Sequence, residues 1–139
     1  MSEEGKNAED KTPGIFSWQE LISQDVEAST AFYSTLLGWA VETMDMGGGK
    51  SYSMFKIGER PIAGMMGTPA EKSDIPTTWV SYITVEDLDA TVAKAVELGA
   101  KICVPPTEIP GKGRFSNLID PQRAPIAFWE FTAEASVDC

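Results

Sequence analysis

The chain has 139 residues, of which 42% are hydrophobic and 9% aromatic; this composition is typical of one folded globular domain and excludes wholesale disorder. No apolar run approaches the roughly 20 residues that a membrane-spanning helix needs, so we expect no membrane partner. The formal net charge of -10, with no concentrated basic patch, argues against a nucleic-acid partner.

The N-terminal segment favours a cytoplasmic protein, and the two cysteines are read in that light. Residues 1–13 are predicted to form a flexible acidic tail without the basic start and apolar stretch of a secretory signal, and 133–139 a second tail. Cys103 lies in an apolar, strand-like run, and Cys139 is the last residue. We expect no structural disulfide in a cytoplasmic chain, and because neither cysteine lies in a CxxC motif or beside a histidine, we expect no cysteine nucleophile.

The first half of the chain shows one strand, one helix and three further strands. The helix begins after Asp25, which is suited to cap it, carries apolar residues at helical spacing and stops at Gly38. Turns are predicted at 47–49 and 58–60. The predicted strands are Ile15–Ile22, Trp39–Met44, Ser51–Ile57 and Pro61–Met66.

The second half repeats this order. Its helix begins after Asp87, in a segment that matches the start of the first helix, and stops at Gly99. Pro105-Pro106 and two later turns are predicted to separate the strands that follow. The predicted strands are Thr78–Val85, Lys101–Val104, Arg114–Ile119 and Pro125–Phe131.

Each half is therefore predicted to be a βαβββ module, which gives the α+β fold class. One module alone would leave one face of its sheet uncovered. We expect the two modules to form a curved mixed sheet or half-open barrel, with the helices outside and a concave cup for a ligand. The predicted domain spans 14–132, with modules at about 14–68 and 78–132 and a proline-bounded connector at 69–77.

Several short motifs carry a family resemblance over residues 15 to 131. They are Ala31-Phe32-Tyr33, Leu37-Gly38-Trp39, Asp87-Leu88-Asp89-Ala90 and Asp120-Pro121, joined by Trp18, Glu20, Leu21 and by Gly111, Gly113, Arg114, Phe115. Taken in order with the repeat, this set resembles the glyoxalase, bleomycin-resistance and extradiol-dioxygenase superfamily, also called vicinal oxygen chelate. The resemblance implies small-molecule binding in the cup and, because members commonly pair, a homodimer.

In metal-dependent members, the resemblance implies, histidine or glutamate ligands come from the first and last strands of each half. The corresponding positions here are Trp18, Val80, Ala127 and the stretch Ala63 to Met65, none of which offers a carboxylate or imidazole. Glu20 is the one carboxylate placed in the cup, and alone it makes a poor transition-metal site. We therefore predict a cup without metal or cofactor.

Glu20 is the candidate catalytic residue. Period-two alternation puts Trp18 and Glu20 on one face of the first strand and Val80 and Tyr82 on one face of its counterpart. A carboxylate beside Trp18 and Tyr82 would have a raised pKa and act as a general acid or base; equally, it would serve as a hydrogen-bonded structural group. The candidate substrate-binding residues are Trp18, Tyr52, Met54, Met65, Val80, Tyr82, Phe115, Ala127 and Trp129.

Three functions remain open on this reading. The first is a metal-independent member that binds a small organic molecule and catalyses proton-transfer, lyase or isomerase chemistry with Glu20. The second is a protein that only sequesters a small molecule, as bleomycin-resistance members do. The third is an interaction protein whose cup is closed by side chains. Lys112 and Arg114 are interpreted as part of a solvated turn rather than as contacts to an anionic substrate.

Overall fold

The computed structural model describes residues 11–47, 50–69 and 75–132, which form two compact units. The first unit is Trp18–Val80, and the second comprises the residues from Ser81 onward together with the segment up to Ser17. The described residues contain eight strands and two helices. In chain order they are β1 (Phe16–Ser23), α1 (Val26–Leu37), β2 (Ala40–Gly47), β3 (Lys50–Ile57), β4 (Arg60–Gly67), β5 (Thr78–Thr84), α2 (Leu88–Glu97), β6 (Lys101–Ile109), β7 (Gly113–Ile119) and β8 (Pro125–Phe131).

Both helices begin at the predicted aspartates. The Asp25 carboxylate accepts the Ala28 N–H at 3.0 Å, and Asp87 accepts the Ala90 N–H at 3.0 Å, so each satisfies a backbone donor at a helix start. Helix α1 ends at Gly38, whose φ of 75° is the left-handed conformation that favours glycine. Neither helix in the described part of the chain is long and apolar enough to cross a membrane.

The sheets confirm the predicted fold class. In the first unit the strand order is β2-β3-β4-β1, with β1 parallel to β4 and the other pairs antiparallel. In the second unit the order is β5-β8-β7-β6, with β5 parallel to β8. Glu20 lies opposite Gly64 in the first register and Tyr82 opposite Ala127 in the second. The sequence repeat is therefore also a repeat of strand pairing.

Each sheet packs one face against its own helix. In the first unit the buried residues of this face are Leu21, Phe55, Ala63 and Met65. Tyr33 of α1 anchors the helix to them, because its ring stacks on Trp39 at 5.7 Å and its hydroxyl accepts the Trp79 indole N–H at 3.0 Å. The Phe-Tyr and Gly-Trp motifs thus belong to the helix side of the sheet. In the second unit the buried residues are Leu88, Val92 and Leu118.

One predicted boundary is wrong. The sequence places a break at Pro105-Pro106, but β6 continues through both prolines to Ile109. Within the second unit β6 pairs with β7 only, at the end of the strand order, and its register against β7 shifts between Val104 and Thr107. Prolines are tolerated here because an edge strand and a bulge both leave backbone N–H groups outside the ladder. Gly48 and Gly49 of the predicted glycine turn and residues 70–74 of the connector lie outside the described residues.

Charged side chains join the start of α2 to β7 and β8. The Glu130 carboxylate accepts the Leu88 N–H at 2.7 Å, and Arg114 donates to both carboxylate oxygens of Asp89 at 2.9 and 3.1 Å. The Arg114 guanidinium lowers the pKa of Asp89 through these hydrogen bonds. Arg114 is therefore held on the helix side of its sheet, and its interpretation as part of a solvated turn is wrong.

Replacing Glu130 by alanine tests this attachment. We expect Glu130→Ala to lower the free energy of unfolding by about 1 kcal/mol, because the Leu88 N–H loses its acceptor at the helix start. Chemical denaturation of the whole chain measures the change. The matched control is Glu97→Ala at the exposed end of α2, which should stay within about 0.5 kcal/mol of the parent. Equal losses in the two variants would contradict the proposed attachment.

Candidate active site

The candidate site lies on the face of the first unit's sheet that points away from α1. Alternation along β1 places Trp18 and Glu20 opposite to Leu21, which belongs to the helix-side core. In the strand register, Glu20 pairs with Gly64 of β4, and Gly64 pairs with Met54 of β3. Tyr52 lies two residues before Met54 and therefore points to the same face. We call this surface the Glu20 face; it comprises Trp18, Glu20, Tyr52, Met54 and Gly64.

Three polar groups on the Glu20 face form a hydrogen-bonded chain. The Trp18 indole N–H donates to the Tyr52 hydroxyl oxygen at 3.1 Å, and that hydroxyl donates to the Glu20 carboxylate at 3.2 Å. Glu20 is only 5% exposed. Trp18 therefore orients the Tyr52 hydroxyl, and Tyr52 in turn orients the Glu20 carboxylate. The donor in this contact with Glu20 is a neutral hydroxyl group.

Gly64 makes this geometry possible. Tyr52 is on β3 and Glu20 on β1, so the phenol ring must lie across the intervening strand β4 to reach the carboxylate. A Cβ at Gly64 would overlap the Tyr52 hydroxyl and would stand 2.5 Å from Cζ of the same ring. Sequence reasoning did not identify Gly64 as a site residue; the available signal was a glycine inside a predicted strand, which often marks close approach of another group.

Burial and the neighbouring carboxylate set the protonation state of Tyr52. Burial of the phenol and, after it, the charge of Glu20 raise the pKa of Tyr52 far above its ordinary value of 10.0, while the hydrogen bond from Trp18 acts in the opposite direction. The hydroxyl therefore stays protonated even at the alkaline pH at which an exposed tyrosine ionises. Tyr52 is a permanent hydrogen-bond donor to Glu20.

The second unit repeats this arrangement with two aromatic residues in place of the tyrosine and the carboxylate. By register, Tyr82 corresponds to Glu20, Ala127 to Gly64 and Phe115 to Tyr52. The ring centroids of Tyr82 and Phe115 lie 6.4 Å apart, and Ala127 between their strands is fully buried. The structure thus brings these two predicted residues together as an aromatic pair.

The remaining predicted residues fall in different places. Met65 is fully buried in the helix-side core with Leu21, so it lies on the opposite side of the sheet from the Glu20 face. Val80 is buried in β5, at 3% exposed. Trp129 lies over Gly113, where a Cβ would stand 2.7 Å from the indole ring. Of the predicted set, the first unit therefore brings together Trp18, Glu20, Tyr52 and Met54.

The positions that the resemblance assigns to metal ligands do not fit a metal ion. The register makes Gly64 the counterpart of Ala127, so neither of these positions in the last strand of each half contributes a carboxylate or imidazole. Throughout residues 11–47, 50–69 and 75–132, no three histidine, cysteine or carboxylate side chains are grouped closely enough to hold a metal. We accordingly derive no chemical step through a metal.

An open groove lies elsewhere, on the second unit. It is formed by one face of α2, the segment around Pro13 and Gly14, and Phe128. None of the predicted site residues lines this groove. Its walls are mainly apolar. The titratable residues that line it are Glu86, Asp87 and Lys94, and all three are exposed to solvent. The groove therefore does not compete with the Glu20 face as a place for acid–base chemistry.

Fold and site together define a two-module βαβββ protein with a buried carboxylate on the sheet face turned away from the helix. The family model described as Glyoxalase/Bleomycin resistance protein/Dioxygenase superfamily matches residues 15–128. The chain belongs to this superfamily, as its motifs predicted.

The chain also resembles two curated proteins. It is 35% identical over 111 residues to CFP32 of Mycobacterium bovis, which is provisionally named a glyoxylase; the match covers 80% of this chain and 42% of that protein. It is 27% identical to the anthracycline biosynthesis protein DnrV of Streptomyces peucetius, over 84% of this chain and 47% of that protein. The chain thus spans less than half the length of these relatives.

Solved structures share the fold at low sequence identity. A variant of the methylmalonyl-CoA epimerase of Streptomyces coelicolor, in complex with 2-nitronate-propionyl-CoA, matches with a TM-score of 0.60 and 16% identity, over 88% of this chain and all of that one. The hypothetical protein BH1468 of Bacillus halodurans matches with a TM-score of 0.59 and 16% identity, over 87% of this chain and 96% of that one. These likenesses establish the fold.

Substitution of Gly64 tests the crossing of Tyr52 over β4. We expect Gly64→Ala to lower the free energy of unfolding by about 1–3 kcal/mol, because the new methyl group displaces the Tyr52 ring. Gly67→Ala is the matched control in the same strand: its Cβ would meet Val26 at 3.7 Å and the Ser23 carbonyl at 3.9 Å, which are ordinary contacts. Thermal unfolding compares the two; a tolerated Gly64→Ala would contradict the geometry.

The protonation of Tyr52 gives a second test. Because its pKa is raised in the folded state, the stabilisation from its protonated form is complete below the unfolded pKa of about 10 and is lost as pH rises above it. Absorbance titration of tyrosinate should show no ionisation of Tyr52 in the folded protein near pH 10. Tyr52→Phe should therefore leave the native titration curve unchanged there. Disappearance of a step near pH 10 in that variant would disprove the assignment.

Proposed function

We propose that the protein binds a small organic molecule on the Glu20 face and that Glu20 transfers a proton to or from it without a metal. The observation that carries the proposal is the chain from Trp18 through Tyr52 to Glu20, which holds one carboxylate in a fixed orientation among apolar and aromatic groups. A positioned carboxylate is one of the side chains that serve as general acid or base when histidine is absent.

The chemistry follows from the groups present. Glu20 as a carboxylate accepts a proton from a carbon atom next to a carbonyl group, and the electron pair of the broken C–H bond passes to the carbonyl oxygen as an enolate. Return of the proton to the same or another atom gives isomerisation, and loss of a leaving group from the enolate gives a lyase reaction. Tyr52 is a positioning residue: it keeps its proton and holds Glu20 by a hydrogen bond.

The properties of the ligand follow from the side chains of the face. Trp18, Tyr52 and Met54 are partly buried and suit a flat or apolar molecule. The name of DnrV associates that relative with anthracyclines, which are flat and aromatic, and the provisional name of CFP32 associates it with glyoxylase chemistry. Both names are consistent with a small organic ligand for this chain.

Binding without catalysis is the second candidate. It is favoured by the same carboxylate's burial, since Glu20 is only 5% exposed and already accepts a hydrogen bond from Tyr52. A carboxylate satisfied in this way can be structural. The protein would then sequester its ligand, and the residues of the Glu20 face would provide contact area alone.

The proposal also includes a cytoplasmic homodimer. The apolar residues on α1 that support pairing are Phe32, Leu36 and Leu37, which are 57%, 62% and 51% exposed. Exposed apolar groups of this size on one helix favour contact with another protein surface. Sedimentation equilibrium of the whole chain tests the dimer.

Isotope exchange separates the two candidate functions. Small aldehydes and ketones that carry a C–H next to the carbonyl are incubated with the protein in D2O, and NMR follows deuterium incorporation. We expect incorporation by the parent and a loss of about 100-fold or more in Glu20→Gln, because the substituted amide cannot accept the proton. The control is Glu59→Gln, whose side chain is fully exposed.

Binding is measured in parallel on the same compounds. Quenching of Trp18 fluorescence, identified by difference from Trp18→Phe, reports occupancy of the Glu20 face. Binding without isotope exchange would support sequestration, and exchange that survives Glu20→Gln would refute the catalytic role. Stoichiometric zinc, iron, nickel or manganese in the purified protein would refute the metal-free proposal.

A further inference from the structure

The outer face of α1 lacks the charged side chains that a helix normally turns toward water. Its outward residues follow the helical spacing i, i+3, i+4, i+7 and i+8. They are all exposed, and we call them the α1 outer face: Ala28, Ala31, Phe32, Thr35 and Leu36. Residues 28–41 form the longest stretch of the chain without a charged side chain, although 23% of all residues are charged. The single chain therefore leaves an uncharged helix surface uncovered.

The second helix shows that the fold does not require this surface. When the two helices are aligned on their capping aspartates, Lys94 occupies the position of Phe32. Glu97 likewise occupies the position of Thr35, and both charged side chains are exposed. The Phe32 ring meets one edge of Tyr33, yet Phe32 remains 57% exposed. An exposed aromatic ring on an uncharged helix face is typical of a protein contact surface.

The partner that fits the α1 outer face is a second copy of the chain. Because the chain carries a net charge of -10, two copies repel each other, and contact through an uncharged helix face brings the fewest carboxylates together. A membrane surface fits less well, since helices that lie on membranes carry basic residues on their polar side and α1 has none. The charge pattern thus favours self-association.

We propose that two copies of the chain pair through α1, with the two helices antiparallel and Phe32 at the two-fold axis. This inference rests on the proposed homodimer and names its interface. Leu36 of one copy then lies opposite Ala28 of the other, so a large side chain meets a small one. The antiparallel order also brings opposite ends of the helix dipoles together and keeps the two Glu27 residues about 15 Å apart along the helices.

Substitution at the axis tests the interface. Phe32→Lys introduces the residue that α2 carries at the matching position, and two lysines would then meet at the axis. We expect the dissociation constant of the dimer, measured by sedimentation equilibrium of the whole chain, to rise by about 30-fold or more. The matched control is Leu98→Lys, at the exposed α2 position that corresponds to Leu36, which should leave the dimer unchanged. A monomeric parent would refute both the homodimer and this interface, whereas a dimer that persists in Phe32→Lys would refute the interface alone.

Cysteine cross-linking tests the helix order while Phe32 stays in place. In a background of Cys103→Ser and Cys139→Ser, Ala31→Cys should form a disulfide-linked dimer under mild oxidation, because its two copies lie only about 3 Å apart along the antiparallel helices. Ala28→Cys is the control, since its two copies lie about 12 Å apart along the helices and should not cross-link. Equal cross-linking through both positions would show parallel helices and overturn the proposed order. Cross-linking through neither position would overturn the interface.

Discussion

The hydrogen bond between Tyr52 and Glu20 is the constraint on which the Glu20 face depends. It joins two strands that are not neighbours, so the phenol has to pass over the strand between them. That passage requires a residue without a side chain at Gly64, and the Trp18 indole N–H donates to the other side of the hydroxyl. A carboxylate enclosed in this way needs hydrogen-bond donors, because burial removes its contacts with water.

In the second unit, the residues that correspond to Glu20, Gly64 and Tyr52 form an aromatic contact in place of the hydrogen bond. Tyr82 and Phe115 meet across the strand of Ala127, and their contact needs no hydrogen bond since both rings are largely apolar. A small residue in the middle strand is therefore common to both halves, while the chemistry above it differs. The repeat preserves a packing geometry, and one copy uses it for a carboxylate.

How much the sequence could predict depended on the range of the interactions. The strands and helices followed from alternation, the capping aspartates and the repeat, all of which act within a few residues. Met65 shows the limit: a methionine in a strand rich in small residues can point to either side, and its place in the core follows from pairing with Phe55's strand and packing near Leu21. Gly64 escaped prediction because its role depends on the Tyr52 ring that the neighbouring strand places over it.

Arg114 illustrates how a motif can be found correctly and its role misassigned. The Gly-Lys-Gly-Arg-Phe stretch was identified from sequence, but alternation sends adjacent residues to opposite faces. Phe115 reaches the face with Tyr82, and Arg114 reaches α2, where it pairs with Asp89. The arginine's charge is thereby held at α2 and kept from the sheet face that carries Phe115 and Tyr82. Because neighbouring residues of a strand point to opposite faces, one short motif supplies an ion pair to the helix side and an aromatic ring to the other side.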